Sequence, residues 1–202
     1  MHAANLTDKL GRERTLVLIK PDGIVRGIVG KILARFERAG LKIVAMKLAC
    51  PTREFAAGHY SGSRDWLEGM GKKTLDSFSQ FGLDVNEIMG TDEPLEIGKM
   101  VQDWLVDYLA DQPIVSVVLE GVHAISSVRR LIGFTIPCRA EPGTIRGDWA
   151  IDSNTIANIE KRATKNLVHA SGDEGEARHE IEYWFKENEI IEYERCDRPA
   201  LF

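Results

Sequence analysis

The apolar positions of this chain alternate between short, nearly continuous runs and stripes at helical spacing. Thr15-Leu16-Val17-Leu18-Ile19 is such a run, and Lys20-Pro21-Asp22-Gly23 ends it with turn chemistry, which predicts a buried strand. Val29, Ile32, Leu33 and Phe36 then fall on one helix face, Gly40 stops that helix, and Leu41 to Leu48 reads as a second strand. Pro51 to Tyr60 predicts a short helix, with Thr52 and Glu54 suited to its start. The stretch from Ser61 to about Pro94 is polar, carries Gly62, Gly69, Gly71, Gly82 and Gly90, and shows no sustained strand pattern. A helix follows from Asp92-Glu93-Pro94, striped by Ile97, Val101, Trp104, Leu105 and Tyr108. Ile114 to Leu119 is a third strand, and Ile125, Val128, Leu131 and Ile132 mark a helix that Gly133 ends. Thr135 to Gly147 is a Pro- and Gly-rich loop, and Ile159 to Thr164 reads as irregular. Leu167-Val168 is the fourth strand. Ser171 can cap the helix behind it, with Asp173 and Glu174 in the first turn. Ala177, Ile181, Trp184 and Phe185 form that helix's apolar face, with Glu180 at its edge.

The order is β–α–β, helices, β–α–β, helix. It predicts an α+β fold, a ferredoxin-like split β–α–β sandwich. The expected core is a four-stranded antiparallel sheet with helices on one face, plus an inserted helical segment. An open parallel α/β sheet is the alternative. No internal repeat is present, and residues 1–202 read as one domain. Neither a glycine-rich dinucleotide turn nor a Walker A sequence occurs, so any phosphate must be handled by other means.

Composition narrows the class. The 202 residues are 44% hydrophobic and 28% charged, ordinary for a soluble globular chain with a substantial core. A net charge of −5 argues against a broad basic face for nucleic acid, though a small anion needs only a local cationic cluster. The apolar runs are too short to span a membrane, and Met1 to Arg14, including His2, lacks the apolar core of a signal peptide. Cys50, Cys138 and Cys196 are far apart and odd in number, which suggests a reducing, cytoplasmic setting rather than a disulfide framework.

The candidate chemistry lies at strand ends and in the loops. Asn166-Leu167-Val168-His169-Ala170-Ser171 delivers a histidine from a strand end to a helix start, a place that favours phosphate. Lys20 follows the first strand, Arg129 lies on the helix after the third, Thr135 opens the next loop, and Arg146 stands in Pro142-Gly143-Thr144-Ile145-Arg146-Gly147-Asp148. Several fixed cationic donors are what a polyphosphate requires. Each of these residues alone is ordinary surface chemistry; together with His169 they form a coherent set.

These segments, with Ile19-Lys20-Pro21-Asp22-Gly23 and Arg26-Gly27, occur in the order of the nucleoside diphosphate kinase family, which the chain resembles over most of its length. The resemblance implies ping-pong phosphoryl transfer from a nucleoside triphosphate to a nucleoside diphosphate, with His169 as nucleophile. By the same resemblance Glu180 orients the imidazole and Ser171 supports Glu180, while Tyr60 stands near the histidine. Lys20, Arg129, Thr135 and Arg146 are then the phosphate contacts, with Arg130 a rival for Arg129, and Asn166 contacts the sugar. Mg2+ is expected on the nucleotide phosphates and not in a protein metal site. A homo-oligomer is implied, a hexamer, tetramer or dimer, with no specific nucleic acid as partner.

The sequence departs from the family pattern in two insertions, at about 61–112 (most of it 61–100) and at about 151–165. The first displaces the usual base platform, for which Trp66 is a candidate, then Val101 or Trp104; Leu105 aligns with an apolar residue that touches the base. Residue 170 is Ala and residue 172 is Gly where the family commonly has Gly and Asp. Asp22 and Asp148 read as turn residues, and His59, His123 and His179 as ordinary histidines. Competing readings are a phosphohistidine carrier for other acceptors and a non-catalytic nucleotide-binding or assembly module.

Overall fold

The computed structural model describes residues 12–197, so the expectation for His2 and the extreme N-terminus lies outside them. Four strands, β1 (Glu13–Ile19), β2 (Lys42–Ala49), β3 (Ile114–Gly121) and β4 (Val168–Ala170), form one sheet in the order β2-β3-β1-β4. Every neighbouring pair is antiparallel, which excludes the parallel alternative. The helices are α1 (Pro21–Val25), α2 (Val29–Arg38), α3 (Arg53–His59), α4 (Arg64–Gln80), α5 (Val85–Met89), α6 (Pro94–Leu109), α7 (Ala124–Ile132), α8 (Ile145–Trp149), α9 (Asn154–Ile159) and α10 (Glu174–Trp184).

Helices cover both faces of the sheet, not one as expected. Val17 and Ile19 of β1 pack with Ile32 and Phe36 of α2 and with Val128 and Ile132 of α7. Leu16 and Leu18 point the other way, against Ala56 of α3, Val106 and Leu109 of α6 and Trp184 of α10. The physical reason is in β1 itself. A strand with one wet face alternates, whereas an unbroken apolar run is buried on both sides.

The glycine-bearing stretch after Ser61, which shows no strand pattern in the sequence, is helical, in keeping with the expected inserted helical segment. Ser63 caps α4 by accepting from the Trp66 N–H. The buried face of α4 is Leu67, Gly71, Thr74 and Phe78, at helical spacing but with two weakly apolar members, so no stripe was visible. Gly71 and Gly98 let α4 and α6 cross closely: a Cβ on Gly71 would lie 1.9 Å from the Pro94 carbonyl oxygen, and one on Gly98 2.0 Å from that of Leu67. Phe78, Met89 and Ile97 make a small separate core there. The second inserted stretch packs on the first. Thr155 of α9 bonds Ser77, and the Asn158 amide donates to Thr74 Oγ1 at 3.1 Å, all from α9 onto α4. The C-terminal segment runs beside β2, with Ile191 N–H donating to the Val44 carbonyl at 2.8 Å.

Candidate active site

Pairing of β4 with β1 sets Leu18 opposite His169 and brings the end of β1 to the strand that carries the histidine. Leu167, just before β4, is fully buried with φ +67°, a conformation that costs a branched residue about 1–3 kcal/mol. Two bonds hold it there. Its N–H donates to Asp22 Oδ2 at 3.0 Å, and its carbonyl accepts from the Lys20 N–H at 2.8 Å. Asp22 is thus structural, as read, and its partner is the active strand. Asp148 is structural as well, accepting from the Gly143 N–H at 2.7 Å and from Arg35 at 2.9 Å.

His169 Nε2 lies 2.7 Å from Glu180 Oε1, and the Ser171 hydroxyl donates to Glu180 Oε2 at 2.6 Å. Ser171 Oγ in turn accepts from the Leu16 N–H at 3.3 Å. An ionised carboxylate only accepts, so opposite Glu180 Oε1 the neutral ring carries its hydrogen on Nε2 and donates it, and Nδ1 keeps its lone pair. Ser171 is not the N-cap of α10; Asp173 is, accepting from the Glu176 N–H at 2.9 Å. Glu180 sits inside the buried face of α10 with Ala177 and Trp184 and not at its edge. Ala170 lies in a strand and is not among the residues with positive φ, so it occupies the position without strain.

Burial is the chief force on the ionisable groups. It pushes His169 down to about 3, with the positive charges of Lys20, Arg146 and Arg129 acting in the same direction and Glu176 opposing them. Burial also pushes the Glu180 carboxyl up, while His59 and the Ser171 hydroxyl pull it back. Lys20 falls to about 8 through burial and the nearby Arg146. The imidazole is therefore neutral across the physiological range.

The cationic set assembles around the histidine strand. Lys20 Nζ donates to Asn166 Oδ1 at 2.9 Å, and the Asn166 amide donates to the Thr135 carbonyl at 3.1 Å. Arg146 is buried and donates to the carbonyls of Asn166, Gly133 and Val168, the last at 2.6 Å. Arg129 and Arg130 are both exposed, and Arg129 reaches the Ala170 carbonyl at 3.4 Å, beside His169. The Thr135 side chain is exposed. Tyr60 is buried at its hydroxyl and stands near Trp66, with ring centroids 6.3 Å apart. Trp104 and Val101 pack on the small core of the inserted helices, and Leu105 is half-buried on α6.

Two neighbours were missed from sequence. His59, read as ordinary, is buried with its ring edge-on to His169 at 4.7 Å. Its Nδ1 accepts from the Trp184 indole N–H at 3.2 Å and lies 3.8 Å from Glu180 Oε1. The available signal was its i+3 spacing from buried Ala56 on α3. Tyr108 was read only as stripe, yet Lys20 Nζ lies 5.5 Å from its ring centroid.

An α+β sandwich that presents a neutral histidine, held by a carboxylate and ringed by cations, defines a phosphotransferase of the phosphohistidine kind. The family model described as nucleoside diphosphate kinase matches residues 13–67 and 95–190. The chain belongs to that family and is an enzyme of its class. A nucleoside diphosphate kinase from Pyrobaculum aerophilum is 46% identical over 180 residues, covering 89% of this chain and 98% of that protein. A crystal structure of an NDP kinase from the same organism covers 90% of this chain and 100% of its own, with a TM-score of 0.87 at 44% identity. The Borrelia burgdorferi enzyme, solved as a transition-state mimic with vanadate and ADP, matches with a TM-score of 0.74 at 35% identity, covering 93% of this chain and 95% of its own.

Proposed function

We propose that the chain transfers the γ-phosphate of a nucleoside triphosphate to a nucleoside diphosphate through a phosphohistidine on His169 Nδ1. The carrying observation is the 2.7 Å contact from His169 Nε2 to Glu180, which leaves Nδ1 as the free nucleophile. Nδ1 attacks the γ-phosphorus, the bond to the β-bridging oxygen breaks, and the diphosphate leaves. A second diphosphate's terminal oxygen then attacks the phosphorus and the N–P bond breaks. Charge that builds on Nε2–H during attack is balanced by Glu180, itself fixed by Ser171.

Lys20, Arg129, Arg146 and Thr135 hold the phosphates in this reading. Asn166 contacts the sugar hydroxyl, and the Tyr60 hydroxyl, buried without a protein partner among the described residues, is a group suited to ligand or water. Trp66 is the base platform, with Leu105 as an apolar contact. The phosphate-holding side chains are three cations and a hydroxyl, with no carboxylate among them, and fit a nucleotide that carries its own Mg2+ on phosphate oxygens; the ion would polarise the transferring group.

We read residues 1–202 as one domain with a helical insertion at about 61–112, whose unmatched part is 68–94, and a shorter one at about 151–165. Exposed Met46 and Leu48 on the edge strand β2 support a homo-oligomer, and three exposed, unpaired cysteines suit a reducing cytoplasmic setting. Among the described residues no helix is long and apolar enough to cross a membrane.

The test is incubation with γ-labelled ATP. An acid-labile, base-stable phosphoenzyme should form, and GDP or dTDP should discharge it. Label that survives in His169→Ala would overturn the proposal, and label that forms but never discharges would make the chain a carrier.

A further inference from the structure

His59 has no part in the transfer described above, yet it is buried against both members of the working pair. One ligand atom from each of His59, His169 and Glu180 lies within 4.8 Å of the other two. We propose that these three side chains form a binding site for a borderline-soft divalent ion such as Zn2+, and that filling it switches His169 off.

The donor set is two imidazoles and one carboxylate, the chemistry of tetrahedral zinc and of related late transition metals. Mg2+ does not suit it, because that ion demands octahedral oxygen. Bonds of about 2.0–2.1 Å to a tetrahedral ion place ligand atoms about 3.3 Å apart. The separations are 2.7 Å from His169 Nε2 to Glu180 Oε1 and 3.8 Å from His59 Nδ1 to the same oxygen, and no pair of ligand atoms is more than 4.8 Å apart; the imidazoles therefore close by at most about 1.5 Å to reach the tetrahedral spacing. His59 already carries the required tautomer. Trp184 Nε1 can only donate, so His59 Nδ1 holds a lone pair and Nε2 the proton. His59 Nε2 is buried with no hydrogen-bond partner among the described residues, so no bond on that side resists a tilt of the ring; the ion takes the place of the indole contact and of the His169–Glu180 hydrogen bond.

The consequence is a change of tautomer. An ion on His169 Nε2 displaces the proton from that nitrogen, and the proton moves to Nδ1. Nδ1 then has no lone pair with which to attack phosphorus. Binding rests on geometry alone, whereas the switching rests on the phosphohistidine reading of His169.

The full chain, with Cys50, Cys138 and Cys196 changed to Ser to remove exposed thiols, is titrated with Zn2+ by calorimetry without nucleotide. Co2+ serves as a spectroscopic probe for tetrahedral nitrogen–oxygen ligation. One ion per chain is expected, with affinity at least tenfold weaker in His59→Gln and in Glu180→Gln, each checked for folding by circular dichroism. Zn2+ should block phosphoenzyme formation, a chelator should restore it, and His59→Gln should need at least tenfold more Zn2+ for the same block. Absence of Zn2+ binding, or equal affinity in both variants, would overturn the site. Zn2+ bound with labelling unimpaired would overturn the switch. Failure to label even without metal sinks the phosphotransfer reading, and the calorimetry still decides the site.

Discussion

The Asp22 carboxylate accepts the backbone N–H of Leu167 at 3.0 Å and so holds a left-handed residue two positions before His169. A side chain at the end of one strand thereby fixes the exit angle of another. Asp22→Ala leaves a buried N–H unpaired and frees the strained turn, which should cost about 1–3 kcal/mol of stability. The displaced histidine should lower kcat by roughly 100-fold. Chemical denaturation and steady-state kinetics on the same preparation check both effects, and an unchanged kcat in a folded variant would show that the turn does not position His169.

Acid should unfold the protein steeply. His59 and His169 are held near 3 by burial, below the ordinary imidazole value, so the unfolded chain binds protons first as pH falls. Their neutral burial is therefore fully tolerated above about pH 6.5, and stability is lost between there and about pH 3. Each histidine contributes a slope of about 1.4 kcal/mol per pH unit in that window. Lys20 has the same sign of linkage in a higher window, because burial lowers its folded value as well. Its ammonium is lost above about 8, so nucleotide KM should rise there while stability increases with pH until the unfolded lysine also titrates. Denaturant melts across both ranges and KM profiles across the alkaline range test the two windows.

A methyl group at the crossing of α4 and α6 should separate the inserted helices. Gly71→Ala places a Cβ 1.9 Å from the Pro94 carbonyl oxygen, backbone against backbone, with no flexible side chain to yield. Overpacking of this kind costs about 3 kcal/mol and should lower the melting temperature by roughly 5–10 °C. Gly69→Ala, on the same helix with open space around it, is the control and should leave the melting temperature unchanged.

Trp66→Ala should raise nucleotide KM by roughly 10- to 100-fold, to a similar degree for purines and pyrimidines, because stacking needs only a π face. The half-buried Trp66 lies beside Tyr60, whereas Trp104 is committed to the inserted core, so Trp104→Phe should leave KM near the parent value. Steady-state titrations with ATP, GTP and dTDP separate the two tryptophans, and a KM that follows Trp104 instead would move the platform to α6.

The sequence by itself determined what repeats locally. The four strands, the helices with clear apolar stripes and the Thr52 cap are consequences of neighbouring residues, so they were legible in order. Lys20, Arg146, Asn166 and His169 were legible as well, because each lies in a short motif that carries its own turn or strand. Tertiary structure decided what depends on contact. α4 was hidden because Gly71 and Thr74 occupy its buried face, and their fitness for that face exists only once α6 and α9 press against it. Both faces of β1 are apolar because helices from distant parts of the chain cover both. Glu180 moved from the edge of a stripe to a buried carboxylate, and His59 from an ordinary residue to a neighbour of the nucleophile, because α3 and α10 converge on β4. Periodicity reports which side of an element avoids water; only the packing of one element on another decides which charged or titratable side chain is enclosed, and with it the ionisation of His169.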